Sequence, residues 1–536
     1  MGLFSRSQRV VVVFLSLTLA AGGACAGGVI GTSDGRFVDG SGRHVILHGV
    51  NVGFGDRRDE SGRRYGAWAD ETEEDFAHMR AWGLNCVRLV LFWASVEPEC
   101  GQYDEAFLDA VAEKVAWAKA HDLEIILDFH QDLWGIDNGN IGRGMPGWAT
   151  LDGGRAHVVG EVWSDAYFQS PAILAAFDSF WANAPGPDGV GIQDRFALAW
   201  KHVAERFASE PAVLGYDLLN EAGFGSEIRA LVPVGAPRTA LALARALWQS
   251  TITLDDITAI VTESEKRPAI LRLLDDPDLN RSIMGSAGPM AFHFERTKLH
   301  PMYQRVANAI REVDSRHILF LEPNVLSNAG VPSKMQPVLG ADGRRDAAQA
   351  LAPHVYDLTT DTSYMDVTRV DRLAFTLDRR AEQGRFADMP VLVGEWGAYV
   401  DGQRVPHGAR AMVEAFERHL FSETYWYFRR DLDAKWYFDY VCRPFPEAVA
   451  GIITGYGTDA ESGAFWCEWN EDGTIAEPSC VFVPTRWYPN GFDVTIEPQG
   501  QGYVATDVPG AGNTMLEVAP LGEAGARRIE IHGREK

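Results

Sequence analysis

Eight short apolar runs recur along this chain, and stretches of helical spacing separate most of them. A chain patterned this way can close in few ways. The runs begin near residues 44, 85, 123, 213, 317, 352, 390 and 423. Leu123–His130 and Val213–Glu221 are typical, each mostly apolar and polar at its end, while Asn85–Trp93 carries its charge, Arg88, within the run. Between the runs, 70–82, 103–121, 192–209, 302–314, 367–383 and 407–421 read as helices. In the second of these, Phe107, Leu108, Val111, Val115 and Ala118 fall on one face. Strands that are apolar on both faces are the mark of a parallel sheet covered by helices. Eight of them alternating with helices predict an α/β chain closed into a (β/α)8 TIM barrel.

Two segments break the rhythm. Residues 225–292 far exceed the roughly 2–6 residues of an ordinary βα loop. They look mostly helical between Leu231 and Ile283, so an inserted helical subdomain at the open face is expected. After Pro444 only short strands with Gly, Asp and Pro turns remain. They predict a C-terminal β-sandwich over 443–536. At the start, Arg6 and Arg9 precede the apolar run 10–21, and Ala24-Cys25-Ala26 offers a cleavage site. The run is too short to span a bilayer, so 1–26 reads as a secretory signal peptide. The barrel then occupies 27–442 and the protein is expected to be secreted. A lipoprotein signal at Cys25 fits less well, because Gly22 stands where such signals prefer Leu. A secreted chain permits disulfides. Cys467 with Cys480, and Cys86 with Cys100, are the candidate pairs, and the odd count after cleavage leaves at least one thiol free. The net charge of −25 argues against a nucleic-acid partner, whose phosphates it would repel.

In a barrel of this kind the catalytic groups sit where the strands end. The polar residues there are Asn51, Arg88, His130, Asn220, Glu221, His354, Tyr356, Glu395 and Trp426. Two carboxylates at strand ends suit glycoside hydrolysis, which needs one protonated and one charged. Glu221, preceded by the amide of Asn220, suits the acid, and Glu395 on its apolar strand suits the nucleophile. An opposite charge at Arg88 would keep Glu395 ionised. Tyr356 can donate to Glu395, and His354 can hold the acid or the leaving group. Asp132 and Trp134 lie on the loop after His130. Leu133, Trp134, Phe224 and the stretch 231–234 are the candidates for an apolar trough beside the site, which a lipid substrate would need. The 14 His residues contain no His-Glu-x-x-His pair, so a metallohydrolase is not expected; no cofactor is expected either. Gly31-Thr-Ser-Asp-Gly35 fits the Gly-x-Ser-x-Gly pattern, but no strand precedes it and no helix follows, so it is set aside.

These residues resemble glycoside hydrolase family 5, a group of retaining β-glycosidases. Asn220-Glu221, Gly394-Glu395-Trp396, Arg88, His130, His354-Val-Tyr356 and Trp426 carry the likeness. Within that family the chain is similar to the endoglycoceramidases at Asp128-Phe-His-Gln-Asp132, Met145-Pro-Gly-Trp-Ala149, Tyr216-Asp-Leu-Leu-Asn-Glu221, Phe320-Leu-Glu-Pro323, Arg443-Pro-Phe-Pro446 and Arg486-Trp-Tyr-Pro-Asn490. The resemblance implies a secreted enzyme that cuts the β-glycosidic bond between glycan and ceramide in a glycosphingolipid. It implies Glu395 as nucleophile, Glu221 as acid/base, no metal, and Arg88, His130, Asp132, Asn220, His354, Tyr356 and Trp426 as substrate-binding residues. The expected partners are the glycosphingolipid itself and, transiently, a membrane or micelle surface; the protein is expected to be a monomer. The insertion 225–292 and the charged segment 429–435 depart from the family pattern and stand to reshape the subsites. Steryl glucosides, soluble β-glucans and, from another class, non-catalytic glycolipid binding are the alternatives.

Overall fold

The computed structural model describes residues 29–53, 57–58, 64–65, 71–135, 143–160, 162–231, 272–459 and 462–535. Its centre is the expected barrel of parallel strands. They are β1 (His48–Val52), β2 (Cys86–Leu91), β3 (Glu124–Phe129), β4 (Val213–Asp217), β5 (Ile318–Leu321), β6 (Gln349–Leu351 and His354–Val355), β7 (Leu392–Gly397) and β8 (Ser422–Trp426). β1 pairs with β2 and β8, and the order runs β2-β3-β4-β5. β6 is cut in two at Pro353, which cannot donate to a ladder. Its first half pairs with β5 and its second half with β7. A parallel bridge from Leu351 to Val391 closes the ring. Ile126, Leu214, Ile318, Phe320, Ala350 and Leu392 fill the lower interior with apolar side chains. Helices Glu73–Ala81, Glu105–Ala120, Ile192–Phe207, His300–Arg311, Val370–Ala387 and Pro406–His419 surround the ring, each within a few residues of its expected span.

The run expected as one strand from His44 to Asn51 is two. His44–Val45 pairs with Ala448 and Val449 of the sandwich, and only from His48 does the chain enter the barrel. The hairpin Gly31–Ser33/Arg36–Val38 joins the same sheet, so the sandwich takes strands from both ends of the chain. The Gly-x-Ser-x-Gly stretch is this hairpin, with Asp34 and Gly35 at positive φ in its turn. Among the described residues, seven strands form one antiparallel sheet and four form the other. Gly83 has no room for a side chain, because a Cβ there would lie 2.3 Å from Phe482 of the sandwich.

Neither candidate disulfide forms, since Cys86, Cys100 and Cys467 are free thiols. Cys86 opens β2 among the apolar residues at the barrel bottom, whereas Cys100 follows the top of that strand. Cys467 and Cys480 lie in different sheets of the sandwich. Of the expected insertion, 225–231 is a 3-10 turn and Pro277–Phe294 a helix; 232–271, like the expected signal 1–26, lies outside the described residues. Among the described residues no helix is long and apolar enough to cross a membrane.

Candidate active site

The C-terminal ends of the strands converge on one guanidinium. Arg88 comes from β2, is fully buried, and spends all five of its N–H donors. Nε donates to Asp217 at 2.9 Å. Nη1 donates to Asn51 at 3.0 Å and to Glu395 at 2.8 Å. Nη2 donates to Asn220 at 3.0 Å and to Glu322 at 2.9 Å. Asp128 lies 3.0 Å from the same Nη2. Burial opposes the charge, but four surrounding carboxyls outweigh it and hold Arg88 cationic. The same crowding acts on the acids. Burial, with Glu322 and Asp128 beside it, pushes the Asp217 carboxyl well up despite Arg88.

Glu395 stands in β7 where the pairing with β8 slips by one residue between Val393 and Trp396. A bulge of this kind re-aims a side chain, and bulges gather beside active sites. Tyr356 donates to Oε2 of Glu395 at 2.8 Å while Arg88 holds Oε1. Burial pushes the Glu395 carboxyl up to about 7; His354 and Arg88 oppose this, and Glu221 adds to it. Burial beside Glu395 and Glu221 also keeps the Tyr356 phenol protonated, hence a donor.

Glu221 follows β4 in the left-handed region, at φ 44°. Its backbone is clamped: the N–H donates to Glu322 at 2.8 Å, and Gln131 donates to the carbonyls of Asn220 and Glu221 at 2.9 and 3.0 Å. Oε1 accepts from Asn328 at 2.7 Å and meets His354 Nδ1 at 2.9 Å. His354 Nδ1 is also 3.4 Å from Glu395 Oε2, so the ring sits between the two carboxylates. Burial alone would discharge this ring, yet Glu322 and Glu395 raise it well above an ordinary histidine. Gly394 makes space for it, since a Cβ there would lie 3.2 Å from the imidazole. One oxygen of Glu221, one of Glu395 and a nitrogen of His354 all lie within 4.8 Å of one another.

His130 and Asp132 form a flank. His130 Nδ1 meets Asp128 at 2.9 Å, and Nε2 lies 3.4 Å from Asp132. Against the effect of burial, Asp132 and Asp128 raise His130 to about 10. Trp426 stacks on this imidazole with centroids 5.4 Å apart and planes 11° from parallel. All nine expected site residues are therefore in one assembly. Asp128, Asp217, Glu322 and Asn328 belong to it too and were not foreseen as site residues. The first three stood inside the quoted motifs, and an acid at the end of an apolar strand was the available signal. Asn328, on a loop, gave none.

The second acidic triad, Asp128-Asp217-Glu322, also has metal-like spacing within 4.8 Å. Arg88 already supplies positive charge to that triad, and His354 supplies it to the first, so the protein itself balances both.

Above the pair opens a cleft of about 530 Å³. Loops after β5, β6 and β7 line it with Val325, Leu326, Ala329, Leu358, Tyr399 and Val400. The ends of β3 and β8 contribute His130, Asp132, Trp426 and Arg429. The apolar trough expected from Leu133, Trp134 and Phe224 is not this wall. Leu133 and Trp134 take positive φ, which folds them into the core, where Trp134 packs on Phe177 and Phe180 at 5.0 Å. Phe224 is buried against Phe294. None of the described part of 225–292 lines the cleft. Arg429 reaches it from the charged segment, paired with Asp431 at 2.9 Å.

Two carboxylates this close, at the strand ends of a (β/α)8 barrel and under a cleft of sugar size, define a glycoside hydrolase. Comparison with known proteins agrees with that class. The chain belongs to glycosyl hydrolase family 5: residues 38–431 match the family's cellulase model, and 443–531 match the family 5 C-terminal domain. It is similar to endoglycoceramidase I of Rhodococcus hoagii, 25% identical over 513 residues, which cover 92% of this chain and 88% of that one. It is also similar to endo-glycoceramidase II from Rhodococcus sp., solved as a lactosyl-enzyme intermediate, with a TM-score of 0.65 at 25% identity over 93% of this chain and 99% of that one. Cryptococcus neoformans sterylglucosidase 1 shares the fold, with a TM-score of 0.66 at 16% identity over 94% of this chain and 97% of that one.

Proposed function

We propose that this protein is a retaining endo-β-glycosidase that cuts the bond between glycan and ceramide in glycosphingolipids. Glu395 attacks the anomeric carbon while Glu221 protonates the leaving oxygen. The resulting glycosyl ester is then hydrolysed by a water that Glu221 deprotonates. The observation that carries the retaining reading is that one oxygen of Glu221 lies within 4.8 Å of one oxygen of Glu395, with the His354 ring reaching both. Retaining enzymes hold the pair about 5–5.5 Å apart, and inverting enzymes leave roughly 6.5–9.5 Å for a water between them. Arg88 and His354 supply the positive charge that an ionised nucleophile needs in a buried site, and Tyr356 fixes its second oxygen. Asn220, His130, Asp132 and Trp426 bind the sugar beside it.

The lipid side of the reading rests on the cleft's two characters and on the relatives. Polar groups gather at the ends of β3 and β8, and apolar side chains stand beyond them on the loops after β5 to β7 and at Trp163 and Phe168 of the connection after β3. A glycan joined to a hydrocarbon chain matches that division. Phe168 and Val400, 41% and 40% exposed at the cleft, support passing contact with a membrane or micelle surface. Export directed by residues 1–26 and action as a monomer complete the reading.

Incubation with glucosyl- and galactosyl-linked glycosphingolipids, a steryl glucoside and a soluble cello-oligosaccharide, with products resolved by mass, tests it. Intact oligosaccharide plus ceramide is the expected result. Cleavage of the steryl glucoside or the glucan alone would keep both glutamate roles and move the substrate.

A further inference from the structure

Beneath the two reacting carboxylates lie three acids that no step of the reaction uses: Asp128, Asp217 and Glu322. All three touch Arg88. Asp128 also meets His130, but among the three only Glu322 reaches Glu221 and His354. It follows β5, is buried, and its two oxygens face different partners. Oε2 accepts the backbone N–H of Glu221 at 2.8 Å. Oε1 accepts from Arg88 at 2.9 Å and lies 3.2 Å from His354 Nε2. The other terminal nitrogen of Arg88 holds Glu395, and the other ring nitrogen of His354 sits between Glu395 and Glu221. Glu322 is therefore one contact away from each of the two groups that orient the nucleophile, and in direct contact with the backbone of the acid.

That backbone needs holding. A residue other than glycine at φ 44° is strained, by roughly 1–3 kcal/mol for sparsely populated conformations. A charged acceptor on its N–H is among the stronger restraints available. Asp128 and Asp217 make no contact with Glu221 or His354 among the described residues, so the role does not pass to them.

We propose that Glu322 is a positioning residue that sets acid/base and nucleophile in one frame, through the Glu221 backbone on one side and through Arg88 and His354 on the other. The proposal rests on the roles assigned above to Glu221 and Glu395. Its consequence is that loss of Glu322 impairs both halves of the chemistry, although it touches no reacting atom.

The test uses Glu322→Gln, which keeps the shape and an acceptor but removes the charge, and two substrates. Lactosylceramide needs its leaving alcohol protonated; 2,4-dinitrophenyl β-lactoside leaves as a phenolate and needs no acid. Pre-steady-state release of dinitrophenol counts working sites by its amplitude and times the attack of Glu395 by its rate. On lactosylceramide we expect kcat to fall roughly 100-fold, the scale of a misplaced reacting group, with KM within about threefold of wild type. On the dinitrophenyl substrate the burst rate per working site should fall as well. A smaller burst amplitude with a normal rate per site would mean a structural role and overturn the proposal. So would a loss confined to lactosylceramide, which would limit Glu322 to the acid. If Glu322→Gln does not fold, Glu322→Asp, which keeps the charge but withdraws it by one methylene, is measured the same way and judged by the same two outcomes. Wild-type enzyme that consumes the aryl lactoside but not lactosylceramide would remove the lipid reading and leave Glu322 to be judged on the burst alone. Wild-type enzyme inert to both would remove the catalytic reading, and the proposal with it.

Discussion

Replacing Arg88 by Met should separate the electrostatics of this site from its packing. Met is close to Arg in bulk, so the loss is mainly five donated hydrogen bonds, at 2.8 to 3.0 Å, and one buried positive charge. Removing one partner of a buried ion pair typically costs about 3–5 kcal/mol, because the other partner stays desolvated. Asp217 softens the blow, since burial pushes its carboxyl up and so eases its protonation once Arg88 is gone. Glu322 and Glu395 stay exposed to the loss, because Arg88 helps hold both down. Without it their folded-state values rise, so the folded variant binds more protons than the folded wild type. The variant therefore recovers relative stability as pH falls. The penalty should be about 3–5 kcal/mol above neutrality and should shrink toward pH ~5. Denaturant unfolding of both proteins at the two ends of that range reads it. Arg88→Lys, with three donors on a point charge, should restore only part of the difference. A penalty under about 1 kcal/mol throughout, the range of exposed pairs, or one that grows as pH falls, would refute the account of Arg88 as the charge at the centre of the site.

The remaining predictions concern proton, fit and lipid. Glu395 must be ionised to attack, and burial raises its carboxyl from 4.5 to about 7; the acid limb of kcat/KM, which reports the free enzyme, should therefore lie above 4.5, and a limb at or below that value would contradict it. For the same reason, charging Glu395 costs stability as pH climbs from its unfolded value near 4.5 toward 7, the opposite of a salt-bridged carboxylate. Gly394→Ala would set a Cβ 3.2 Å from the His354 ring and, by shifting it a few tenths of an ångström, should lower kcat roughly 3- to 10-fold with little change in KM; unchanged kcat would mean the ring's position is not critical. Leu133→Ala should cost about 2–5 kcal/mol as a core cavity and leave KM for glycolipid unchanged. Val400→Ser at the cleft should do the reverse, raising KM for ceramide substrates but not for a soluble aryl glycoside, and the opposite pattern would return the lipid wall to the loop after β3.

The barrel was legible because its signal is written locally and repeated. Each strand is apolar on both faces, and each helix has its own stripe. What misled was a boundary where two domains share a run. His44 to Asn51 is apolar enough to be one strand, yet His44 and Val45 pair on one side with Val38 and Phe37 and on the other with Val449 and Ala448, some 400 residues away. Nothing within the run announces that. The site divides the same way. Glu221 and Glu395 are conspicuous because a charge at the end of an apolar strand needs a partner. The same rule applied to Asp128, Asp217 and Glu322 would have found all three, since each ends or follows a strand of that kind. Asn328 reaches Glu221 from a loop, and a polar residue in a loop needs no special explanation. Leu133 and Trp134 show the converse error. A loop beside the site with two large apolar residues suggests a lipid contact, but positive φ at both turns them under the surface. The wall that does face the cleft is spread over the loops after β5, β6 and β7, one to three side chains from each turn, with Trp163 and Phe168 added from further along the connection after β3, and only the closed ring of strands brings those turns together.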